Sequence, residues 1–300
     1  MATDRSQQES WTVRRLIDWT SSFFTRKSID SPRLAAEMLL AHVLRMPRIQ
    51  LYVNHDRELD PDDLAHFRDL VRRAGEHEPV QYLTGVAHFF GLEFRVSPAV
   101  LIPRPDTETL VEAILRHLKL ASDTGTEQTL RIADLCTGSG AIAVALAKHL
   151  PGARVLATDI SEAAVEVARD NARRLGAAEQ LDIRTGDLFQ PLAGEAPFDL
   201  ITANPPYIPT GELARLDRNV RDYEPKNALD GGPDGLDFHR RLLAESPDHL
   251  RAGGRLFVEM QFDQGSVLRE LAESTGNWHD VQVLRDFAGH ERVLLARTPT

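Results

Sequence analysis

The chain has 300 residues, 42% of them hydrophobic, and a formal net charge of −10. This is enough for one large or two ordinary domains with a full core, and the acidic balance argues mildly against a free-standing binder of duplex DNA. The single cysteine, Cys136, excludes an intramolecular disulfide and a Cys-rich zinc site. With no apolar leader and no membrane-length run, we expect a cytoplasmic protein without membrane contact or metal.

Residues 1–80 predict a small helical domain. Apolar residues recur at helical spacing over residues 16–24. Two further helices each begin with a capping residue followed by proline, at Ser31-Pro32 and at Asp60-Pro61.

Residues 81–105 predict a β-hairpin that connects two domains. Leu92, Phe94 and Val96 alternate with charged residues, as in a half-buried strand. We expect the hairpin to turn around Ser97-Pro98, and a helix capped near Asp106 to follow it. A polar loop is expected at 121–129.

Residues 106–300 predict an α/β domain. Strand patterns at 130–135, 153–159, 181–187, 198–203 and 254–260 are separated by helix patterns at 141–150, 161–175 and 237–250, and a strand pair at 278–286 and 291–297 ends the chain. Ser161 is the expected cap of the second of these helices. Alternating strands and helices with short loops specify a mostly parallel, doubly wound sheet.

Ligands of such sheets bind beyond the carboxyl ends of the strands. The first strand ends in "DLCTGSG", residues 134–140, where Gly138 and Gly140 let the backbone approach a ligand closely. The spacing of a dinucleotide fingerprint, GxGxxG, is absent. Asp134 suits a cationic ligand group better than a phosphate.

The next two strands end in residues that suit a nucleoside. Asp159 can accept both hydroxyls of a ribose, and Asp187 and Leu188 can meet the edge and face of an adenine. A nucleoside with a cationic, phosphate-free tail is S-adenosylmethionine, which we therefore predict as the cofactor. The full set of predicted cofactor-binding residues is Asp134, Cys136, Thr137, Gly138, Ser139, Gly140, Asp159, Asp187, Leu188 and Asn204.

The fourth strand ends in Asn204-Pro205-Pro206-Tyr207. The Asn204 side-chain oxygen and the Pro205 carbonyl can both accept hydrogen bonds from one NH2 group and so orient its nitrogen toward a methyl donor. Proline fixes the backbone direction, and Tyr207 can stack on a flat substrate. We predict methylation of an NH2 group on a planar system, with Asn204, Pro205 and Tyr207 as catalytic residues and the whole segment binding substrate.

The sequence resembles the protein-(glutamine-N5) methyltransferases of the PrmC/HemK family along nearly its whole length. The segments that carry the resemblance are "EPVQYLTG" (78–85), "VLIPRPDTE" (100–108), "DLCTGSGAIAVALA" (134–147), "ATDIS" (157–161), "NPPYIP" (204–209), "YEPKNALDGGPDGL" (223–236) and "GHERV" (289–293). The resemblance implies a class I (Rossmann-like) methyltransferase sheet with a small N-terminal helical domain and a connecting β-hairpin. It implies that the substrate is the glutamine of the GGQ motif of peptide chain release factors.

The resemblance also assigns residues. The family's cofactor residues correspond to the loop 136–140, Asp159, Leu188 and Asn204, and its substrate residues to Asn204 through Tyr207. Cys136 stands where the family usually has glycine, which implies a backbone angle that a side chain tolerates. Leu188 stands where some members have an aromatic residue. We expect residues 1–80 to recognise the release factor, because a methyltransferase core does not need them to bind its cofactor.

Other functions remain open from the residues alone. An adenine-N6 DNA methyltransferase has the same kind of target, although it would need a basic channel for flipped DNA. A glutamine methyltransferase of a ribosomal protein would use the same chemistry, and a non-catalytic binding module could keep the fold. We expect a monomer that binds release factors and makes no direct contact with nucleic acid.

Overall fold

The computed structural model describes residues 10–121 and 129–300. It divides into two compact units, Met1–Gly85 with Arg218–Tyr223, and Val86–Asp217 with Glu224–Thr300. Most of the polar loop expected at 121–129 lies outside the described residues. None of the helices in the described ranges is both long and apolar enough to cross a bilayer.

The first unit is helical, as the sequence predicts. Its helices are α1 (Val13–Arg26), α2 (Pro32–Val43), α3 (Ile49–Val53), α4 (Pro61–Gly75) and α5 (Val80–Thr84). The Asp60 carboxylate caps α4 by accepting from the Asp63 N–H at 2.8 Å. Ser31 occupies the cap position of α2, but its φ is 45° and its side chain does not cap the helix. The core of this unit is built on Phe24, Leu39, Leu40, Leu51 and Phe67.

The described part of the second unit contains a seven-stranded sheet flanked by helices, which confirms the predicted α/β fold. In chain order its strands are β3 (Arg131–Leu135), β4 (Arg154–Asp159), β5 (Leu181–Thr185), β6 (Phe198–Ala203), β7 (Leu250–Glu259), β8 (His279–Arg285) and β9 (Glu291–Arg297). Their spatial order is β5-β4-β3-β6-β7-β9-β8. The pairs from β5 to β7 are parallel, and the two pairs that involve β9 are antiparallel.

The helices of this unit include one that the sequence patterns did not indicate. They are α6 (Glu108–Ala121), α7 (Ala141–His149), α8 (Glu162–Arg174), α10 (Asp237–His249) and α11 (Gly265–Ser274), while the short α9 (Arg218–Arg221) belongs to the first unit. The expected cap of α8 is confirmed, since the Ser161 hydroxyl accepts from the Ala164 N–H at 3.2 Å. The unpredicted helix is α11.

The hairpin exists, but its predicted turn is wrong. β1 (Val86–Phe89) pairs with β2 (Leu92–Arg95), so the chain turns at Phe90-Gly91 and not at Ser97-Pro98. Both turn residues have positive φ, 50° and 72°. A two-residue hairpin loop with two left-handed residues matches the twist of its strands. Phenylalanine is unusual in such a turn, so only Gly91 indicated it in the sequence.

The start of α6 also differs from the expectation. A 3-10 turn, Pro105–Thr107, precedes the helix, and Asp106 lies inside that turn. Its carboxylate forms an ion pair with Arg292 at 3.1 Å instead of capping the helix. This pair connects two of the motifs that carry the family resemblance, "IPRPDTE" and "GHERV".

Candidate active site

A cavity in the second unit lies at the carboxyl ends of β5, β4, β3 and β6. The predicted site residues that line it are Cys136, Thr137, Gly138, Ser139, Asp159, Asp187, Leu188, Asn204 and Pro206. Residues that the sequence analysis selected at four separate strand ends therefore line one cavity. Asp134, Gly140, Pro205 and Tyr207 are not among the residues that line this cavity.

The glycine loop after β3 is fastened to the end of β4. The Gly138 N–H donates to Asp159 Oδ2 at 2.9 Å, and the Ser161 N–H donates to Asp159 Oδ1 at 2.9 Å. Burial raises the pKa of Asp159, and these backbone donors oppose that rise. A half-buried carboxylate is thereby held at the cavity with lone pairs left to accept from a ligand.

Asp134 lies beneath the loop and is fully buried. The Thr137 hydroxyl donates to its Oδ2 at 2.6 Å, while its Oδ1 has no partner among the described residues. Burial raises the pKa of Asp134 to about 7. Its contact with Thr137 shapes the loop, and its interaction with a cationic ligand group stays a prediction.

Gly140 starts α7 with a φ of 79°. A Cβ there would lie 3.1 Å from the Cβ of Ala168 in α8. Glycine is thus favoured at this position by its conformation and by the close approach of α8.

Two residues that face the cavity have strained backbones. Cys136 has a φ of 59° and Leu188 a φ of 43°, both in the left-handed region. The sequence analysis expected a backbone angle that a side chain tolerates at Cys136, and the observed angle lies in a region that favours glycine and costs other residues about 1–2 kcal/mol. Strained backbone conformations are commonly found at functional sites. Burial raises the pKa of the Cys136 thiol well above its usual range, so the residue is not an activated nucleophile.

Asp187 and Leu188 follow β5, as predicted. The Asp187 carboxylate accepts from Arg241 Nη1 of α10 at 3.0 Å, and the Leu188 side chain is 4% exposed. The two residues place a fixed acceptor and an apolar surface on the same wall of the cavity.

The Asn204–Tyr207 segment follows β6. Asn204 is half-buried, and its Nδ2 donates to Thr107 Oγ1 at 3.2 Å. The hydroxyl of Tyr207 donates to Glu259 Oε1 at 3.2 Å. Both prolines between them are buried.

A glutamine clamps the backbone of this segment. Gln264 Nε2 donates to the carbonyl of Tyr207 at 3.0 Å and to that of Gly235 at 3.3 Å. Its Oε1 accepts from the Gln261 N–H at 3.0 Å. The sequence analysis did not identify Gln264, which lies 57 residues beyond Tyr207 along the chain.

The glycine-rich segment 229–235 packs directly on the same backbone. The Ile208 N–H donates to the carbonyl of Leu229 at 3.0 Å, and the Gly231 N–H donates to the carbonyl of Ile208 at 2.8 Å. A Cβ on Gly235 would lie 2.3 Å from the carbonyl oxygen of Tyr207. This part of the "YEPKNALDGGPDGL" motif therefore braces the NPPY segment.

The segment before α6 forms another wall, to which Val100, Leu101, Pro103, Arg104 and Thr107 contribute. Glu224, whose side chain is fully buried, accepts from the Arg104 guanidinium and from the Ile102 N–H at 3.3 Å. Burial raises the pKa of Glu224, and Arg104 opposes that rise. This pair ties the wall to the "YEPKNA" segment, whose Pro225, Asn227 and Ala228 also line the cavity.

Asn171 in α8 joins the hairpin to the glycine loop. This fully buried side chain donates to the carbonyls of Arg95 and Ser139, each at 2.9 Å, and accepts from the Arg95 N–H at 2.7 Å. Its position inside an amphipathic helix gives no sequence signal for that role. Within the two described ranges, no group of three or more His, Cys, Asp or Glu side chains is placed to hold a metal ion.

Comparison with known proteins identifies the two domains of the chain. Residues 15–85 match the PrmC N-terminal domain, and residues 108–216 match the methyltransferase small domain. The solved structure of the human methyltransferase 10 domain containing protein is similar, with a TM-score of 0.50 and 18% identity over 70% of this chain and 89% of that one, and shows the fold alone. The fold and the matched domain define the class as methyltransferases with a Rossmann-like sheet.

Curated relatives then specify the family. The chain is 44% identical to a release factor glutamine methyltransferase of Geobacter sulfurreducens, over 96% of this chain and 98% of the relative. It is 47% identical to one of Moorella thermoacetica, over 95% and 98%. The chain belongs to the family of release factor glutamine methyltransferases, which confirms the resemblance found in the sequence.

Proposed function

We propose that the protein transfers a methyl group from S-adenosylmethionine to the side-chain amide nitrogen, N5, of the glutamine in the GGQ motif of peptide chain release factors. The names of the relatives support this substrate. The observation that carries the chemistry is the hydrogen bond from Asn204 Nδ2 to Thr107. With its nitrogen engaged there, Asn204 presents its oxygen as the acceptor for the target NH2.

The cavity residues fit the cofactor. Asp159 is a carboxylate held at the cavity with spare acceptor capacity, and the Leu188 side chain offers an apolar surface. Asp159 would hold the ribose hydroxyls and Leu188 the adenine, with Gly138 allowing close approach. When bound, S-adenosylmethionine supplies a methyl group on a cationic sulfur, from which a nitrogen lone pair can displace it.

The acceptor residues address a specific difficulty. A glutamine amide is a poor nucleophile because its nitrogen lone pair is delocalised. Asn204 Oδ1 and the Pro205 carbonyl would accept from the two N–H bonds and hold the nitrogen in the reactive direction. The buried prolines keep that carbonyl fixed, and Tyr207 would support the flat amide group.

The test is methyl transfer from labelled S-adenosylmethionine to purified release factor, with mass mapping of the product. We expect one added methyl group on the GGQ glutamine, and none on a release factor with asparagine at that position. Ribosomal proteins and duplex DNA serve as competing substrates in parallel reactions. Preferential labelling of a ribosomal-protein glutamine or of adenine would replace this proposal with the corresponding alternative.

We further propose a role for each part of the chain. Residues 1–80 recognise the substrate, residues 81–105 form a hairpin linker, and residues 106–300 carry out catalysis. Supporting the first role, the helical unit has a groove between α1 and α4 that is lined by Trp11, Trp19, Phe23 and Phe67. Trp19 is 49% exposed and stacks on Phe23 with ring centroids 5.5 Å apart. Exposed aromatic patches of this kind commonly bind proteins. The groove would hold the folded body of the release factor.

Trp19→Ser tests this docking role. We expect a lower kcat/KM for intact release factor and an unchanged value for a short GGQ peptide. Val53→Ser is the matched control, because Val53 is 70% exposed in the same unit but outside the groove. Equal losses on protein and peptide would assign Trp19 to stability of the unit.

We also propose that the protein acts as a monomer in the cytoplasm, where its substrate works, without direct contact with nucleic acid.

A further inference from the structure

The side chain of Gln264 joins two segments beside the cavity. Gln264 is 8% exposed and lies at the start of α11. Its Nε2 donates to the backbone carbonyl of Tyr207, the last residue of the NPPY segment, at 3.0 Å. The same nitrogen donates to the carbonyl of Gly235, in the glycine-rich segment 229–235, at 3.3 Å. Both protons of the side-chain amide are therefore used on backbone groups of two separate segments.

The orientation of this amide is fixed by its backbone partners. Its Oε1 accepts from the Gln261 N–H at 3.0 Å. A backbone N–H can only donate, and a backbone carbonyl can only accept. Turning the amide over would place its oxygen against the two carbonyls and its NH2 against the N–H, so all three hydrogen bonds, here called the Gln264 clamp, would be lost. None of the three partners titrates near pH 7.

The backbone of Gln264 is held in place independently of the clamp. Its N–H donates to the carbonyl of Gln261 at 3.0 Å, and its carbonyl accepts from the Leu268 N–H at 3.0 Å in the first turn of α11. A Cβ on the next residue, Gly265, would clash with the Glu291 carboxylate at the start of β9. The helix α11 therefore begins in close contact with the sheet, and Gln264 extends its side chain from a fixed position.

The two clamped segments pack closely against each other. A Cβ on Gly231 would lie 2.8 Å from the Cα of Tyr207, and one on Gly235 would lie 2.9 Å from Gln264 Nε2. The carbonyl oxygens of Tyr207 and Gly235 both carry partial negative charge. Without a donor between them they would repel each other and remain without a hydrogen bond from Gln264, which is costly for a buried acceptor. The clamp replaces this repulsion with two attractive contacts.

A short piece of backbone connects the clamp with the proposed acceptor, the Pro205 carbonyl. Pro206 lies between the Pro205 and Tyr207 carbonyls, and its ring locks its φ. Both prolines are buried, and the Tyr207 hydroxyl donates to Glu259 Oε1 at 3.2 Å. With the Tyr207 carbonyl fixed as well, few backbone torsions are left through which the Pro205 carbonyl could turn away from a target NH2.

We propose that Gln264 is a positioning residue for methyl transfer, which holds the NPPY backbone against the glycine-rich segment and so keeps the Pro205 carbonyl and Tyr207 in their reactive placement. This inference rests on the proposed function, because that placement serves the target glutamine. Gln264 is not among the residues that line the cavity, so it acts through the backbone alone. Its loss should lower turnover and leave the binding of S-adenosylmethionine unchanged.

Gln264→Met gives the first test, on the full chain with release factor as substrate. Methionine keeps the length of the side chain and removes all three hydrogen bonds of the clamp. We expect kcat to fall by about tenfold to a hundredfold, the scale of a slightly displaced catalytic group, with a smaller change in KM. Calorimetry should show the wild-type affinity for S-adenosylmethionine.

Gln264→Glu separates the clamp from the start of α11. A glutamate oxygen can still accept from the Gln261 N–H, but a carboxyl group has at most one proton to give, so at least one of the two carbonyls loses its donor. We expect kcat to fall in this variant as well. Amide hydrogen exchange should become faster at Ile208 and Gly231, whose N–H groups join the same two segments. If Gln264→Met does not fold, Gln264→Glu decides by itself.

Gln180 provides the matched control. It precedes β5, at the edge of the sheet opposite to the cavity. Its Nε2 donates to the carbonyls of Leu150, Pro151 and Ala153 at 3.1, 3.3 and 3.2 Å. Gln180→Met removes a similar set of hydrogen bonds, so Tm should fall as it does in Gln264→Met, while kcat should stay near the wild-type value.

The wild-type protein distinguishes failure of the function from failure of the positioning role. If it does not methylate the release factor glutamine, the proposed function fails. If it does, three results would each overturn the positioning role: a wild-type kcat in folded Gln264→Met, a wild-type kcat in Gln264→Glu, or an equal loss of kcat in Gln180→Met.

Discussion

The two sides of the cavity are built in different ways. On the cofactor side, short loops at adjacent strand ends hold one another, as Gly138 does with Asp159 and Thr137 with Asp134. On the acceptor side, the NPPY segment is held by Thr107, by the glycine-rich segment 229–235, and by Glu259 and Gln264, at and shortly after the carboxyl end of the neighbouring strand β7.

The two sides differ in what holds their residues in position. Parallel strands in register bring their carboxyl ends together automatically, so the cofactor side needs little beyond the sheet. The acceptor side must hold an amide and a carbonyl in a reactive direction, and small displacements there are costly. We therefore expect substitutions on the acceptor side to change turnover, and those on the cofactor side to change cofactor affinity or stability.

The largest effect is expected at Asn204. Asn204→Ala removes the only side-chain acceptor for the target NH2 in the segment, so turnover should fall by about two to three orders of magnitude, as when one positioned polar partner is lost. Single-turnover kinetics with release factor would measure it. Calorimetry should show most of the cofactor affinity intact. Near-normal turnover would mean that another group orients the amide.

Gly235→Ala should have the next largest effect, and it changes no reacting group. The new Cβ would lie 2.3 Å from the Tyr207 carbonyl and 2.9 Å from Gln264 Nε2, so the NPPY backbone must shift. A displacement of about 1 Å should lower kcat about a hundredfold. Gly276→Ala is the control, since Gly276 has a similar φ of 69° with open space around it. Equal effects in the two variants would show that backbone strain alone is responsible.

Asp159→Ala tests the cofactor side. We expect a loss of about 1–3 kcal/mol in binding of S-adenosylmethionine, because the ribose hydroxyls and the loop N–H groups lose their acceptor. Calorimetry measures it directly. Turnover at saturating cofactor should change much less than in Asn204→Ala. Asp182→Ala, at an exposed acid on β5, is the control, and unchanged affinity in a folded Asp159→Ala protein would remove this residue from the cofactor site.

Cys136→Gly should have the smallest effect, and it should be favourable to stability. Relief of a left-handed conformation is worth about 1–2 kcal/mol, and the added flexibility of glycine in the unfolded chain offsets about 0.5–1 kcal/mol of it. Tm should rise by about 2 °C. Cys136→Ala keeps the Cβ and the strain and should give no such rise. A gain shared by both variants would point to the thiol and not to the backbone.

Much of the fold and half of the site could be predicted from the sequence. Alternating strand and helix patterns indicated the sheet, and Asp159, Leu188 and Asn204, which line the cavity, were predicted because each lies at the end of a strand or within three residues of it. These signals are local. The residue that ends a parallel strand is placed by the strand itself, so its neighbours along the chain are sufficient to identify it.

Other features were decided by the tertiary structure. The hairpin turned at Phe90-Gly91, where one turn residue was atypical, and Asp106 formed an ion pair with Arg292 instead of capping a helix. Thr107, Glu259 and Gln264 went unnoticed because their partners are distant in the chain, 97 residues for Thr107 and Asn204 and 52 for Tyr207 and Glu259.

The sequence by itself therefore determined that a methyl donor and a planar amide could meet at the strand ends of this sheet. It did not determine which group fixes the orientation of the Asn204 side-chain amide. The orientation of a side-chain amide depends on the group that lies opposite its nitrogen. Thr107 reaches Asn204 only when the turn before α6 packs against the end of β6, so the tertiary structure decides this orientation.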